Sequence, residues 1–355
     1  MKIKILIYLV ASTVLYAGTS SASESSADIC VSKPYKARLE QTLNVDKELN
    51  AVSWSSDGQR IITSSAFGTV ATVWTDMGIK IFQIDEGPNE IFPLDSISIQ
   101  SEYNYLIMPA ARQTDSSNAL SIWDIESGNK ILDVKGPQPD MGPAFNLPWH
   151  YTLSPDGQSI VITALRGEHV ALYDTKDWHI KWNIELPKTV AASLAFSSTS
   201  DVVGVGTIDG RVLLLSSADA HILSEYRVYH DVSDASVNNL RFSPDGKFFA
   251  AGAGLSMDGR TEAASMKIIK IEDGSEYRTF SGNRQPIRGI GWLLNGCAIA
   301  VADDTGVSLY PTDNDNAVPM KFVYTKQVIS ISSVPSSNRL AVAAGREIKV
   351  FLISQ

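Results

Sequence analysis

Ser154-Pro155-Asp156-Gly157 and Ser243-Pro244-Asp245-Gly246 are one tight turn written twice, and Ser55-Ser56-Asp57-Gly58 is a third copy without its proline. The spelling has a physical cause. Proline presets φ, aspartate hydrogen-bonds to the backbone two residues on, and glycine takes the left-handed conformation at no steric cost. Each copy follows a short alternating segment, Ala51-Val52-Ser53-Trp54, His150-Tyr151-Thr152-Leu153 or Asn239-Leu240-Arg241-Phe242. Each precedes an apolar one, such as residues 159–163 or 248–251. Strand, tight turn and strand predict a hairpin. Weaker copies fill the gaps: Glu102-Tyr103-Asn104, Ser198-Thr199-Ser200-Asp201, Leu294-Asn295-Gly296 and Ser336-Ser337-Asn338. The turns recur about every 40–50 residues, the period of four-stranded propeller blades. Seven copies predict seven blades.

The third strand of each repeat supplies an independent check. It places one large apolar residue at the same position: Trp74, Trp123, Tyr173, Leu215, Ile269, Tyr310 and Phe351. Neighbouring blades need such a residue to fill the space between them. Outer strands follow, as in residues 129–134 and 276–280, and helical periodicity is absent. The last repeat stops at Ser354 after three strands, whereas residues 36–43 form a spare strand before the first. That strand is expected to complete the final blade, because closure removes exposed sheet edges. The fold class is all-β: a seven-bladed propeller of four-stranded antiparallel blades, one domain over residues 36–355, preceded by a segment at 24–35.

Trp123-Asp124 in this setting, the Ser-Pro-Asp-Gly turns and the period resemble WD-repeat β-propellers over nearly the whole chain after residue 35. The likeness is to a degenerate, bacterial exported type. The Gly-His pair that the resemblance leads one to expect before each inner strand is missing. The family's structural aspartate is retained at Asp209 and Asp304. The resemblance therefore implies the architecture without its His–Asp network. Quinoprotein dehydrogenase subunits and lactonase-like propellers are structurally close to the same plan.

Residues 1–23 read as a secretory signal peptide. Lys2 and Lys4 begin it, residues 5–16 are mostly apolar, and Ala17 to Ala22 is rich in small residues. The apolar part is shorter than the ~20 residues a membrane span needs. The expected location is periplasmic or secreted. Hydrophobic residues are 44% and charged residues 19%, which suits a folded globular protein. A net charge of −9, with no Lys/Arg-rich run, repels phosphate backbones and argues against nucleic acid as a partner. The two cysteines, Cys30 and Cys297, are a disulfide candidate in an oxidising compartment.

Inner strands of a propeller run from its top face to its bottom. The outer-to-inner and second-to-third-strand loops therefore share the top. Residues 110–119, 135–149 and 252–264 make that face loop-rich. Long loops in a compact repeat are usually functional, and aromatic, Met and Arg side chains are enriched in interface cores. Arg112, Phe145, Trp149, His150, Met257 and Arg260 are the expected partner-binding residues. The starts of the inner strands put Asn50, Asp95, His150, Asn239 and Arg288 at the channel mouth. Asn and Asp there resemble the oxygen ligands calcium takes in lactonase-type propellers. Solvated loop ends are the simpler reading, and no cofactor or metal ligand is assigned. No nucleophile elbow, His-x-x-x-His pair or phosphate-cradling loop appears, so no catalytic residue is assigned.

Two functions follow. One is an exported, non-catalytic binding or scaffold protein that engages a protein partner on its top face. The other is a periplasmic enzyme or enzyme subunit using the channel, either a metal-dependent, lactonase-like hydrolase or the non-catalytic chain of a quinoprotein-type dehydrogenase. Fold alone does not separate them.

Overall fold

The computed structural model describes residues 30, 34–55, 57–65, 70–85, 98–100, 104–110, 117–138, 148–164, 167–229, 236–253, 265–280, 286–313, 319–325, 328–334 and 336–355. The chain divides into two units, residues 1–32 and 33–355. Only Cys30 of the first is described, and all described secondary structure belongs to the second.

That unit contains seven antiparallel sheets of four strands each. Blade 1 runs Leu49–Trp54, Arg60–Ser65, Val70–Thr75 and Lys80–Asp85, in the order inner, second, third, outer. The same order repeats through blade 6. The inner strands of blades 2 to 6 are Ser98–Gln100, Tyr151–Leu153, Ala191–Phe196, Val237–Phe242 and Gly289–Leu293. Blade 7 takes Val328–Val334, Arg339–Ala344 and Glu347–Ser354 from the end of the chain and Lys36–Asn44 from its beginning.

The turn chemistry explains why the tetrapeptide repeats. In blade 3 the Ser154 hydroxyl accepts the Ser159 N–H at 2.9 Å, and the Asp156 carboxylate accepts the Gln158 N–H at 3.0 Å. Ser243 and Asp245 do the same for Phe248 and Lys247, and Ser55 and Asp57 for Arg60 and Gln59. In all three the serine hydroxyl also donates to the aspartate. Gly58, Gly157 and Gly246 then reverse the chain at φ 67°, 72° and 71°. The weaker copies reach the same region with Asn104, Ser200 and Asn338. Asparagine tolerates this region better than most residues because its short side chain bonds locally.

The large third-strand residues all fall at one register. Trp74 pairs with Ile61, Trp123 with Leu106, Tyr173 with Ile160, Leu215 with Val203, Ile269 with Phe249, Tyr310 with Ile299 and Phe351 with Leu340. Among the described residues, seven buried apolar clusters each join two successive blades. The last, containing Leu43, Val52, Ile61, Val334 and Val350, joins blade 7 to blade 1 and closes the ring. Second strands lie between neighbours on both faces, which is why residues 160–162 or 298–302 read as continuous apolar runs rather than alternating ones.

Several strand limits differ from the sequence reading, two of them beside the channel. The inner strand of blade 5 starts at Val237 rather than Asn239, because a bulge at Asn238 interrupts the alternation. Gly252, read as the start of a loop, lies in the strand Phe248–Ala253 and pairs with both Asn239 and Met266.

Candidate functional site

Inner strands reach the channel with one edge unpaired, and among the described residues four of them carry a bulge near their upper end. The register slips between Leu49 and Ala51, Ala191 and Ser193, Val237 and Asn239, and Val328 and Ser330. The extra residues are Asn50, Ala192, Asn238 and Ile329. A bulge re-aims side chains and ends regular pairing, and bulges gather beside functional sites. Here Asn50, Asn238 and Ile329 all line one cavity of about 190 Å³ at the channel mouth.

The cavity draws its walls from the inner-strand ends of six blades. Asn50, His150, Asn239 and Arg288, assigned to the mouth from sequence, meet there. The structure adds Arg241, Asn238 and Ser193. Arg241 sits two residues beyond Asn239, so the two-residue strand period brings it to the same side. That period is the signal in the sequence that points to Arg241. Asn239 donates to the Ile287 carbonyl at 2.8 Å, and Arg241 to the Leu240 carbonyl at 2.8 Å. Arg288 donates through Nε to Asp304 at 2.8 Å.

Trp149 stands beside this mouth. Its backbone N–H and that of His150 both bond the Thr163 hydroxyl, at 3.1 and 3.0 Å, so the pair is held to the second strand of blade 3. Trp149 is 39% exposed. Arg112, Phe145, Met257 and Arg260 lie outside the described residues, as does Asp95.

The lining bears on the calcium reading. Among its described residues are two guanidiniums, an imidazole and three carboxamides, and no carboxylate. Calcium takes six to eight oxygens, usually including Asp or Glu. A cation would meet Arg241 and Arg288 instead, so the described donor set does not fit it. A second cavity of about 330 Å³ lies at the seam of the closing strand and blade 1, with Trp74, Lys47 and Lys80 in its wall.

The two retained aspartates tie down top loops with new partners. Asp209 accepts from the Thr189 and Thr207 hydroxyls, and from Arg211 Nε at 2.8 Å. Thr189, just before the inner strand of blade 4, supplies a donor where the resemblance leads one to expect histidine. Arg288 does so for Asp304 in blade 6. Partial burial pushes the Asp209 carboxyl upward, but the hydroxyls of Thr207 and Thr189 and the Arg211 guanidinium outweigh it and hold it below the usual carboxylate range. A carboxyl lowered in the folded state contributes stability above its unfolded value near 4, and loses it as pH falls through the folded value. Asp209→Asn is therefore expected to lower stability at neutral pH and to flatten the acid dependence below about pH 4. Urea melts at pH 7 and pH 3 check it; parallel losses in parent and variant would contradict the role.

The family described as "WD domain, G-beta repeat" matches residues 225–261. That stretch starts in the outer strand of blade 4, Ile222–Arg227, and passes through the first two strands of blade 5. The sequence repeat is thus offset from the blade, as ring closure by an N-terminal outer strand requires. Telomerase protein component 1 of Rattus norvegicus is 22% identical over 329 residues, covering 91% of this chain and 11% of that protein. Telomerase protein component 1 of Mus musculus is 24% identical over 278 residues, covering 78% and 9%. The chain spans about a tenth of the length of these relatives. Four-stranded blades in a ring of seven, closed by the N-terminal strand and carrying this repeat across blades 4 and 5, make the chain a WD-repeat-like seven-bladed β-propeller.

Proposed function

We propose that this propeller is an exported, non-catalytic binding module that engages a protein partner at its channel mouth and top face. The observation that carries the reading is the cavity lined by Asn50, His150, Asn239 and Arg288 with Trp149 exposed beside it. Trp and Arg are the residues that most often dominate interface energies. The basic and carboxamide lining also favours binding over a metal-dependent hydrolase, which would need converging carboxylates. WD-repeat propellers suggest protein interaction, and relatives named as a telomerase component are, by that name, parts of an assembly. Export rests on the Lys2/Lys4 start, the apolar stretch and the small-residue exit of residues 1–23. No helix among the described residues is long and apolar enough to cross a membrane.

A photo-crosslinking amino acid at position 149, followed by capture and mass spectrometry, identifies the partner. Trp149→Ala is expected to weaken the recovered complex by about 2 kcal/mol, a hot-spot loss. Its melting temperature should change little, since the indole is exposed. A large fall in melting temperature would make Trp149 a packing residue and remove it from the site.

A further inference from the structure

We infer that the channel mouth takes a carboxylate, presented by an acidic side chain of a partner peptide. The inference rests on reading the mouth as a protein-binding site. The chain as a whole is acidic, at −9, yet the described lining of this cavity holds Arg241, Arg288 and His150 without one Asp or Glu. Two guanidiniums thus line this cavity with no carboxylate among its described lining, and the carboxylate of Asp304 reaches only the Nε side of one of them. Arg288 is oriented for the task. Asp304 engages its Nε, fixing the guanidinium plane, while its terminal nitrogens have no protein partner among the described hydrogen bonds. A guanidinium presents its N–H groups as a rigid fork that matches a carboxylate, and such paired bonds are stronger than neutral ones.

Size and surroundings agree. A cavity of about 190 Å³ admits one side chain. Asn50 and Asn239 add carboxamides to the same wall. Arg241 is exposed on the channel side, from the inner strand next to Arg288. Two guanidiniums from adjacent blades would share one anion, with the carboxamides bonding the peptide backbone that carries it.

Labelled twelve-residue peptides test this by fluorescence anisotropy with the full propeller. One alternates Gly and Glu, a second Gly and Gln, and a third carries phosphoserine in place of Glu. The Glu peptide is expected to bind at least ~10-fold more tightly than the Gln peptide, with affinity falling as salt rises. Arg241→Gln and Arg288→Gln should each remove most of that preference while the propeller stays cooperatively folded. Arg227→Gln, on the outer strand of blade 4, should leave it intact. Equal binding of the Glu and Gln peptides, no binding of the Glu peptide, or a preference that survives both arginine changes overturns the assignment. So does tighter binding of the phosphoserine peptide, which would make the ligand a phosphate. If the assignment fails while position 149 still crosslinks a partner, the mouth remains a protein site with another chemistry. If position 149 captures nothing, the underlying reading fails as well.

Discussion

Removing Lys36–Asn44 is expected to abolish folding of the propeller. This segment is the outer strand of blade 7, paired antiparallel with Glu347–Ser354 from Lys36↔Ser354 to Asn44↔Glu347. Its Leu43 is buried in the cluster that joins blades 7 and 1. Arg339, at the start of the second strand of blade 7, bonds Glu40 at 3.0 Å and Asp76 of blade 1 at 3.0 Å. Gln41 donates to the Asp76 carbonyl at 2.8 Å. The strand therefore holds its own sheet and the blade beyond it. Each ladder bond contributes about 1 kcal/mol net, and a buried leucine about 1.5–3 kcal/mol. The sum is on the order of 10 kcal/mol, comparable with the whole stability of a typical domain. Deletion would also leave Glu347–Ser354 as a long unpaired edge, a template for pairing with another chain. Size-exclusion chromatography and circular dichroism should show aggregated or unfolded protein. A monomer that melts cooperatively at the parent temperature would mean that closure lies elsewhere.

The elements legible in the sequence are those that local chemistry dictates. Ser154, Asp156 and Gly157 close a turn on themselves, so their pattern survives translation into structure without knowledge of any distant contact. The third-strand residues were legible because each blade interface asks for the same bulk at the same register. The spare strand at residue 36 followed from a missing one at the end. Bulges were not legible. Asn238 interrupts the alternation of Val237–Phe242, and nothing local announces that the slip turns Asn238 toward the channel. Arg241, by contrast, follows Asn239 by one strand period and was legible once Asn239 stood at the mouth. The replacement of histidine by Thr189 opposite Asp209 depends on a contact between residues twenty positions apart. Asn50, His150, Asn239 and Arg288 were legible because they lie at or beside the starts of inner strands, which topology alone brings to the mouth.

Cys30→Ser is expected to destabilise the protein strongly, through loss of a bridge to Cys297. If the chain is exported as proposed, its two thiols allow one intramolecular pairing. Cys297 follows the turn Leu294–Gly296 at the bottom of blade 6 and is 7% exposed. The Tyr35 hydroxyl donates to the Cys297 carbonyl at 2.8 Å, which fixes the start of the closing strand beside this turn. Position 30 is five residues before Tyr35, a covalent reach of at most ~17 Å. A bridge would close a loop of about 270 residues, for which the chain-entropy account gives roughly 5 kcal/mol before any strain. In a chain of this size that corresponds to a fall of roughly 5–10 °C in melting temperature. Reducing agent should lower the parent's melting temperature to that of the variant and leave the variant unchanged. Titration of the unreduced, denatured parent with a thiol reagent should find no reactive thiol. Two reactive thiols, or a variant that melts with the parent, would show that non-covalent contacts alone hold the closing strand.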